Sequence, residues 1–327
     1  MIAPLPDFRL AQPGTVKEAI AALLSRPGSR FVAGGTDLIV NMRRSISRPD
    51  LLVDLSGIDE LNEIKIGAGG VTIGAGVTVA ALARNTTFAS QYRALAQAAE
   101  AIAGPGHRTM GTVGGNLCLD TRCIYYNQSE WWRNANAYCL KDRGDVCHVA
   151  PQGQRCHAAY SGDLAPALLV FGAEVDIVGA QGHRRIPLSK LYVEDGKAHL
   201  TLADGELIVA VHLPAAPPVS AYAKVRVRGA IDFPLAGVAV ALAASGTNVG
   251  SLRIALTGTN SQPFLLAGTA AFSGRSIDER LLQEIDRLVQ KQVQPMRTTI
   301  ASANYRRVAA AALTRRLTAM LFAECTA

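Results

Sequence analysis

Gly111-Thr112-Val113-Gly114-Gly115-Asn116 reads as a strand entering a double-glycine turn. The same theme stands about 80 residues earlier, in Phe31-Val32-Ala33-Gly34-Gly35-Thr36-Asp37-Leu38. A strand, a Gly-Gly turn and a helix start leave backbone N–H groups free, and glycine lets another group approach them closely. Two such turns suit the two ends of one pyrophosphate; the plain alternative is a pair of ordinary turns. Neither is the G-x-G-x-x-G dinucleotide fingerprint.

Working outward from the second turn, Ser161-Gly162-Asp163 precedes the apolar run Leu164–Phe171. Between the two lies Cys123–Cys156, a stretch with neither helical nor strand period that holds Trp131, Trp132 and four of the six cysteines. So long an aperiodic loop in a compact domain is functional or disordered, and its aromatics and cysteines argue against disorder. Cys123, Cys139, Cys147 and Cys156 are separated by 15, 7 and 8 residues. A zinc staple normally shows a short C-x₂₋₄-C pair, which is missing here. A [4Fe–4S] cluster accepts four thiolates from distant positions. Unliganded thiols are the third reading. Cys118 reads as a small core residue and Cys325 as part of a fraying tail.

A chain of 327 residues holds two or three domains. Its 49% apolar and 18% charged content is that of an ordered globular protein. The net charge of +7 is scattered. Arg43-Arg44, Arg184-Arg185, Arg306-Arg307 and Arg315-Arg316 fall in different elements, and no basic stripe interleaved with aromatics exists, so a nucleic-acid partner is not expected. A positive surface suits an acidic protein partner instead. The longest apolar run, Leu235–Ala244, is too short for a bilayer span of ~20 residues. Met1–Pro13 lacks a basic start and a long apolar core, so a cytoplasmic protein without membrane contact is expected.

Helical spacing predicts helices over Thr15–Leu24, from Leu38, over Gln91–Ala103, Leu164–Phe171, Ile277–Val293 and Ser302–Phe322. Strands are predicted at Phe31–Ala33, Leu51–Leu55, Val71–Gly76, Ala173–Val178, Ile186–Leu188, Glu206–Leu213, Ala221–Arg228, Ala236–Ala244 and Ser251–Leu256. Pro214-Ala215-Ala216-Pro217-Pro218 reads as a stiff linker, and the strands-then-helices order beyond it predicts a sheet with helices on one face.

The glycine turns Val32–Asp37 and Gly111–Asn116, with Ser161–Pro166, Lys224 and Ala301–Arg307, resemble the FAD-binding medium subunit of the molybdenum hydroxylases, along essentially the whole chain. The resemblance implies an α+β fold. A two-part FAD-binding domain of the p-cresol methylhydroxylase/vanillyl-alcohol oxidase type would span residues 1–214, divided into 1–55 and 56–214. A C-terminal domain of the CO dehydrogenase flavoprotein type would span 219–327. Most members of the family join the second glycine turn to Ser-x-Asp by a few residues; this chain inserts about forty, at 122–159, with all four loop cysteines inside. In that departure it is similar to the β subunit of 4-hydroxybenzoyl-CoA reductase, whose insertion carries an extra [4Fe–4S] cluster.

By that resemblance, Phe31, Val32, Ala33, Gly34, Gly35, Thr36, Asp37 and Leu38 hold FAD together with Thr112, Val113, Gly114, Gly115 and Asn116. Ile102, Asp163 and Lys224 complete the FAD site, and Cys123, Cys139, Cys147 and Cys156 hold the cluster. Asp163 has an equally good reading as a helix N-cap, Ile102 as plain core and Lys224 as a solvated lysine on an edge strand. Tyr125, Tyr126, Trp131 and Trp132 are expected to shield the cluster. No nucleophile–base pair appears, and no catalytic residue is assigned. The implied partners are a large molybdopterin subunit and a small [2Fe–2S] subunit, in a dimer of heterotrimers, with ferredoxin as electron donor. Electrons would pass from ferredoxin through the cluster and FAD to the other subunits, where 4-hydroxybenzoyl-CoA is reduced to benzoyl-CoA. Two rivals remain: the FAD subunit of an oxidising molybdenum hydroxylase using NAD⁺ or another acceptor, and a zinc-stapled module that is no enzyme.

Overall fold

Three sheets organise the protein, which a computed structural model describes over residues 5–326; Met1–Pro4 of the amino-terminal stretch lie outside the described residues. The first sheet is small and parallel, in the order β1-β3-β2, from β1 (Arg9–Ala11), β2 (Arg30–Val32) and β3 (Leu51–Asp54). Helix α1 (Val16–Leu24) covers it with Val16, Ala19 and Ile20 against Leu51, Val53 and Leu55. Its start is set by Thr15, whose hydroxyl accepts the Glu18 N–H, while the Glu18 carboxylate accepts the Gly14 N–H at 2.9 Å. β2 runs straight into the first glycine turn, and α2 (Leu38–Arg43) leaves it. Gly35 takes φ +66° there, which favours glycine.

The second sheet is antiparallel, in the order β4-β5-β8-β6-β7. It comprises β4 (Ile64–Gly67), β5 (Gly70–Gly74), β6 (Glu174–Gly179), β7 (Gly182–Pro187) and β8 (Leu207–Pro214). Between β5 and β6 run α3 (Val79–Arg84), α4 (Thr86–Gln91), α5 (Arg93–Ala101), α6 (Pro105–Arg108), α7 (Val113–Leu117), α8 (Glu130–Ala135) and α9 (Leu164–Phe171). All eight residues of α9 are buried, because neighbours cover it on every side. Gly172, in the left-handed region at φ 73°, ends it.

The third sheet, β12-β11-β10-β9, is antiparallel. It is built from β9 (Val219–Val225), β10 (Ala236–Ser245), β11 (Asn248–Thr257) and β12 (Phe264–Leu265). Helices α10 (Glu279–Gln292) and α11 (Ala303–Thr326) cover one face, as expected. The other face is not free: Tyr222, Ala239, Ala241 and Ala255 join the core around α5 and α9. Burial on both faces explains why β10 reads as an unbroken apolar run. Cys325 lies within α11 and packs against the core of this domain, so its segment is not the fraying tail expected.

Two local expectations change. Val113–Leu117 is a short helix rather than a strand followed by a turn, with Thr112 capping it through the Gly115 N–H. The cysteine stretch contains α8, which Ser129 caps and which carries both tryptophans. Arg122 and Ala159 exchange two backbone hydrogen bonds of 2.9 Å, so the segment leaves and re-enters the domain at one point. No helix of the described residues is long and apolar enough to cross a membrane.

Candidate functional site

A cavity of about 980 Å³ opens between the first two sheets. Phe31, Ala33 and Gly34 line it from the first glycine turn, and Thr112, Gly114 and Gly115 from the second. The sequence placed all six in the cofactor site. Sequence reasoning missed the far wall, Leu200 to Ile208, where a Gly205 turn precedes β8. It also missed Thr78, Met110 and Cys118. Cys118 packs against the main core, as expected, and also lines this cavity; burial pushes its thiol up to about 12.

The two turns differ in what they offer. None of the N–H groups of Ala33–Asp37 donates to an acceptor among the described residues, which leaves five successive free donors. The amides of Val113, Gly114, Gly115 and Asn116 are engaged inside the protein, with Val77 O, Ala75 O, the Thr112 hydroxyl and Thr112 O at 2.7–3.1 Å. Gly34 serves close packing: a Cβ there would lie 1.9 Å from Met110 O, so the turns touch backbone to backbone. A Cβ at Gly115 would meet only the Thr112 hydroxyl, at 3.0 Å. Free amides beside a largely apolar cavity of this size fit a diphosphate joined to flat aromatic groups, as in FAD.

The remaining cofactor candidates separate. Val32, Gly35, Thr36, Asp37 and Leu38 follow the first turn away from the cavity wall. Val113 is buried in the main core, and Ile102 packs partly buried against it. Asn116 reaches the next element, where its side-chain oxygen accepts the Leu164 N–H at 3.0 Å. Asn116 therefore caps α9. Asp163 makes no side-chain cap hydrogen bond, which corrects the N-cap alternative. Its carboxylate instead accepts from Tyr222 Oη at 2.5 Å and from Lys224 Nζ at 3.1 Å. Lys224 also donates to Asp232 O at 3.1 Å, and its side chain is only 3% exposed, so it is no solvated lysine.

The cysteine segment packs onto the first glycine turn. The Arg122 guanidinium pairs with Asp37, and its other arm donates to Asn127 at 3.0 Å. Burial raises the Asp37 carboxyl against the lowering pull of Arg122. Buried Arg133 is the hub of the segment. It donates to Asp142 (3.0 Å), Glu130 (2.7 Å), Gln128 O, Arg44 O and Ser45 O, the last two at the end of α2.

Cys139, Cys147 and Cys156 are buried and Cys123 is partly so. None of the four is joined in a disulfide. The Tyr126 N–H points at Cys123 Sγ at 3.3 Å and the Ala158 N–H at Cys156 Sγ at 3.4 Å. Burial pushes the Cys123 thiol up to about 11 and the Cys156 thiol to about 12; these N–H donors oppose the rise, and the charges of the other loop cysteines add to it. The four sulfurs thus share one neighbourhood. Among the described residues, no three His, Cys, Asp or Glu side chains stand close enough to hold one metal ion. Tetrahedral zinc, with Zn–S near 2.3 Å, needs its sulfurs within ~4 Å of one another. Four cysteine thiolates are the donor set that a [4Fe–4S] cluster takes. Trp131 does not shield this site: it is 77% exposed. Trp132 and Tyr125 lie together, ring centroids 6.4 Å apart, and Tyr126 is buried.

Comparison with known proteins gives a consistent answer. Residues 6–216 match the family described as the FAD binding domain in molybdopterin dehydrogenase, and residues 220–321 match the CO dehydrogenase flavoprotein C-terminal domain. The chain is 34% identical to the FAD-binding subunit of an aldehyde oxidoreductase of Escherichia coli, over 81% of this chain and 85% of that one. It is 27% identical to the carbon monoxide dehydrogenase medium chain of Hydrogenophaga pseudoflava, over 98% of this chain and 99% of that one. The crystal structure of a cyanide-inactivated Cu,Mo-CO dehydrogenase superposes with a TM-score of 0.80 at 25% identity, covering 99% of both chains.

Proposed function

Because this chain belongs to the family of FAD-binding medium subunits of molybdenum hydroxylases, with that family's α+β fold and C-terminal flavoprotein domain, we propose that it is a two-centre electron-transfer subunit carrying FAD and a [4Fe–4S] cluster. The observation that carries the proposal is the pairing of two sites in one body. The first glycine turn, whose amides at Ala33–Asp37 are free, lines a cavity through Ala33 and Gly34, and the four-cysteine segment is clamped to the same turn through Asp37 and Arg122.

FAD bound there supplies a carrier that exchanges electrons one or two at a time. The residues of the chain hold and orient it. The free amides of Ala33 and Gly34 and the Thr112 hydroxyl would hold its pyrophosphate, and Phe31, Leu200 and Leu202 would line the rest of its site. Asp163 and Lys224 act through their ion pair, which fixes α9 against β9 and so steadies Asn116 and the second turn. Cys123, Cys139, Cys147 and Cys156 are the cluster ligands, and Arg133 and Arg122 hold their loop. Substrate chemistry belongs to a molybdopterin-carrying partner, with a [2Fe–2S] subunit between.

Two readings of the complex follow. The four-cysteine insertion favours the reductive one: 4-hydroxybenzoyl-CoA loses its phenolic hydroxyl, with ferredoxin as donor. The names of the relatives, an aldehyde oxidoreductase and carbon monoxide dehydrogenases, favour an oxidising complex. Anaerobic assays of the purified complex separate them. Benzoyl-CoA and water formed from 4-hydroxybenzoyl-CoA, with two electrons from a reduced low-potential donor and two protons, support the first reading. Aldehyde-dependent reduction of an acceptor, with no benzoyl-CoA formed, overturns it in favour of the second.

A further inference from the structure

Lys141 lies between Cys139 and Cys147, and its side chain is only 5% exposed. Its ammonium donates to Asp120 Oδ1 and to Thr121 O, both at 2.7 Å, and to the Thr121 hydroxyl. It sits 4.8 Å from the centre of the Tyr126 ring. The contacts with Tyr126 and Thr121 each lead on to a cysteine. Tyr126 donates its N–H to Cys123 Sγ. The Thr121 hydroxyl donates to Gly196 O at 2.5 Å, and the Gly196 N–H donates to Cys156 O at 2.9 Å.

The other cations of the segment are committed elsewhere. Arg122 pairs with Asp37, and Arg133 with Glu130 and Asp142. Arg143 is exposed above Tyr138, and Arg155, although it donates to Cys156 O at 3.2 Å, is partly exposed, pairs with Glu194 at 3.1 Å and turns to Ser261 and Gln294 of the C-terminal domain. Lys141 is thus the segment's buried ammonium beside the thiols, balanced by a single carboxylate that is itself one-third exposed.

We propose that Lys141 is a positioning residue that sets the reduction potential of the metal group held by the four cysteines. This rests on the iron–sulfur reading of the loop. Reduction adds one electron from an external donor and makes or breaks no bond, so the group becomes one charge more negative. A fixed positive charge in a medium of low dielectric stabilises the more negative state. Lys141 therefore raises the potential, and Asp120 holds the ammonium in place while partly offsetting it.

The test is an anaerobic redox titration of the full chain, followed by electron paramagnetic resonance, with iron and FAD measured on the same samples. Lys141→Met should shift the reduced-to-oxidised ratio at fixed potential at least tenfold toward oxidised, ~59 mV for one electron. Lys141→Arg should stay near the parent. Asp120→Asn, which keeps the ammonium and removes its counter-charge, should move the ratio toward reduced. Iron-replete Lys141→Met and Asp120→Asn proteins that both titrate with the parent overturn this inference alone. A parent without iron overturns the cluster reading, and this inference with it.

Discussion

Lys224 Nζ lies 3.0 Å from Asp163 Oδ1, with side chains 3% and 5% exposed, so strand β9 of the C-terminal domain and the start of α9 share a buried ion pair. Tyr222 adds its hydroxyl to the same carboxylate. Removing one partner leaves the other charge buried and alone, which typically costs about 3–5 kcal/mol. Lys224→Met and Asp163→Ala should each lower stability by that order in urea unfolding. FAD content per folded molecule should fall only modestly. Full stability with FAD lost would give the pair a direct contact with the cofactor instead.

The glycines of the two turns should separate packing from binding. Gly34→Ala forces a Cβ onto Met110 O, so the turns must part and both stability and FAD should be lost. Gly115→Val sits on α7 and crowds only the Thr112 hydroxyl, so the fold should survive while the cavity fills. Flavin absorbance per protein, read beside the melting temperature, distinguishes the two. A Gly115→Val protein that keeps its FAD would move the pyrophosphate away from this turn.

Arg133 should decide whether the cysteine segment stays on α2. Arg133→Lys keeps the charge but loses the fork that reaches five acceptors. Limited proteolysis within residues 122–159 should speed up and iron should fall, with the flavin domain intact. Unchanged protection would mean that the cysteines hold the segment unaided.

Buried His199 gives the protein an acid limit. Its Nε2 has no hydrogen-bond partner among the described residues, and burial, then the Lys141 charge, lower the imidazole to about 4. In the unfolded chain the value is near 6.5. Between those pH values the unfolded state binds more protons, so stability falls as pH falls, by about 3 kcal/mol in all at 1.36 kcal/mol per pH unit. His199→Leu should flatten urea midpoints between pH 6.5 and 4. An unchanged slope would assign the acid loss to other groups.

The sequence carried the fold wherever one period ruled. The apolar spacing of Val16–Leu24 and Glu279–Gln292 and the runs of β10 and β11 all appear as read. It hid what depends on distant partners. Asp163 and Lys224 stand 61 residues apart, so neither the missing cap nor the buried lysine was legible locally. Glycines masked helix α7, whose turn closes because Thr112 and the Ala75 and Val77 carbonyls take its amides. Trp131 looked like a shield, yet α8 turns it outward beside buried Arg133. The far wall of the cavity carries no motif, since Leu200 and Leu202 are ordinary apolar residues until the fold places them opposite Gly114.

The central claim is that one chain carries flavin and an iron–sulfur centre side by side, and metal analysis tests it most directly. Iron, acid-labile sulfide, zinc and FAD should be measured in the anaerobically purified parent, Cys147→Ala and Cys118→Ala proteins. The parent should hold ~4 iron and ~4 sulfide with one FAD, the count of one [4Fe–4S] centre. Cys147→Ala should lose iron and sulfide while keeping most of its FAD, and Cys118→Ala should keep both metal and sulfide. Zinc in place of iron in the parent, or full iron in Cys147→Ala, would contradict the account.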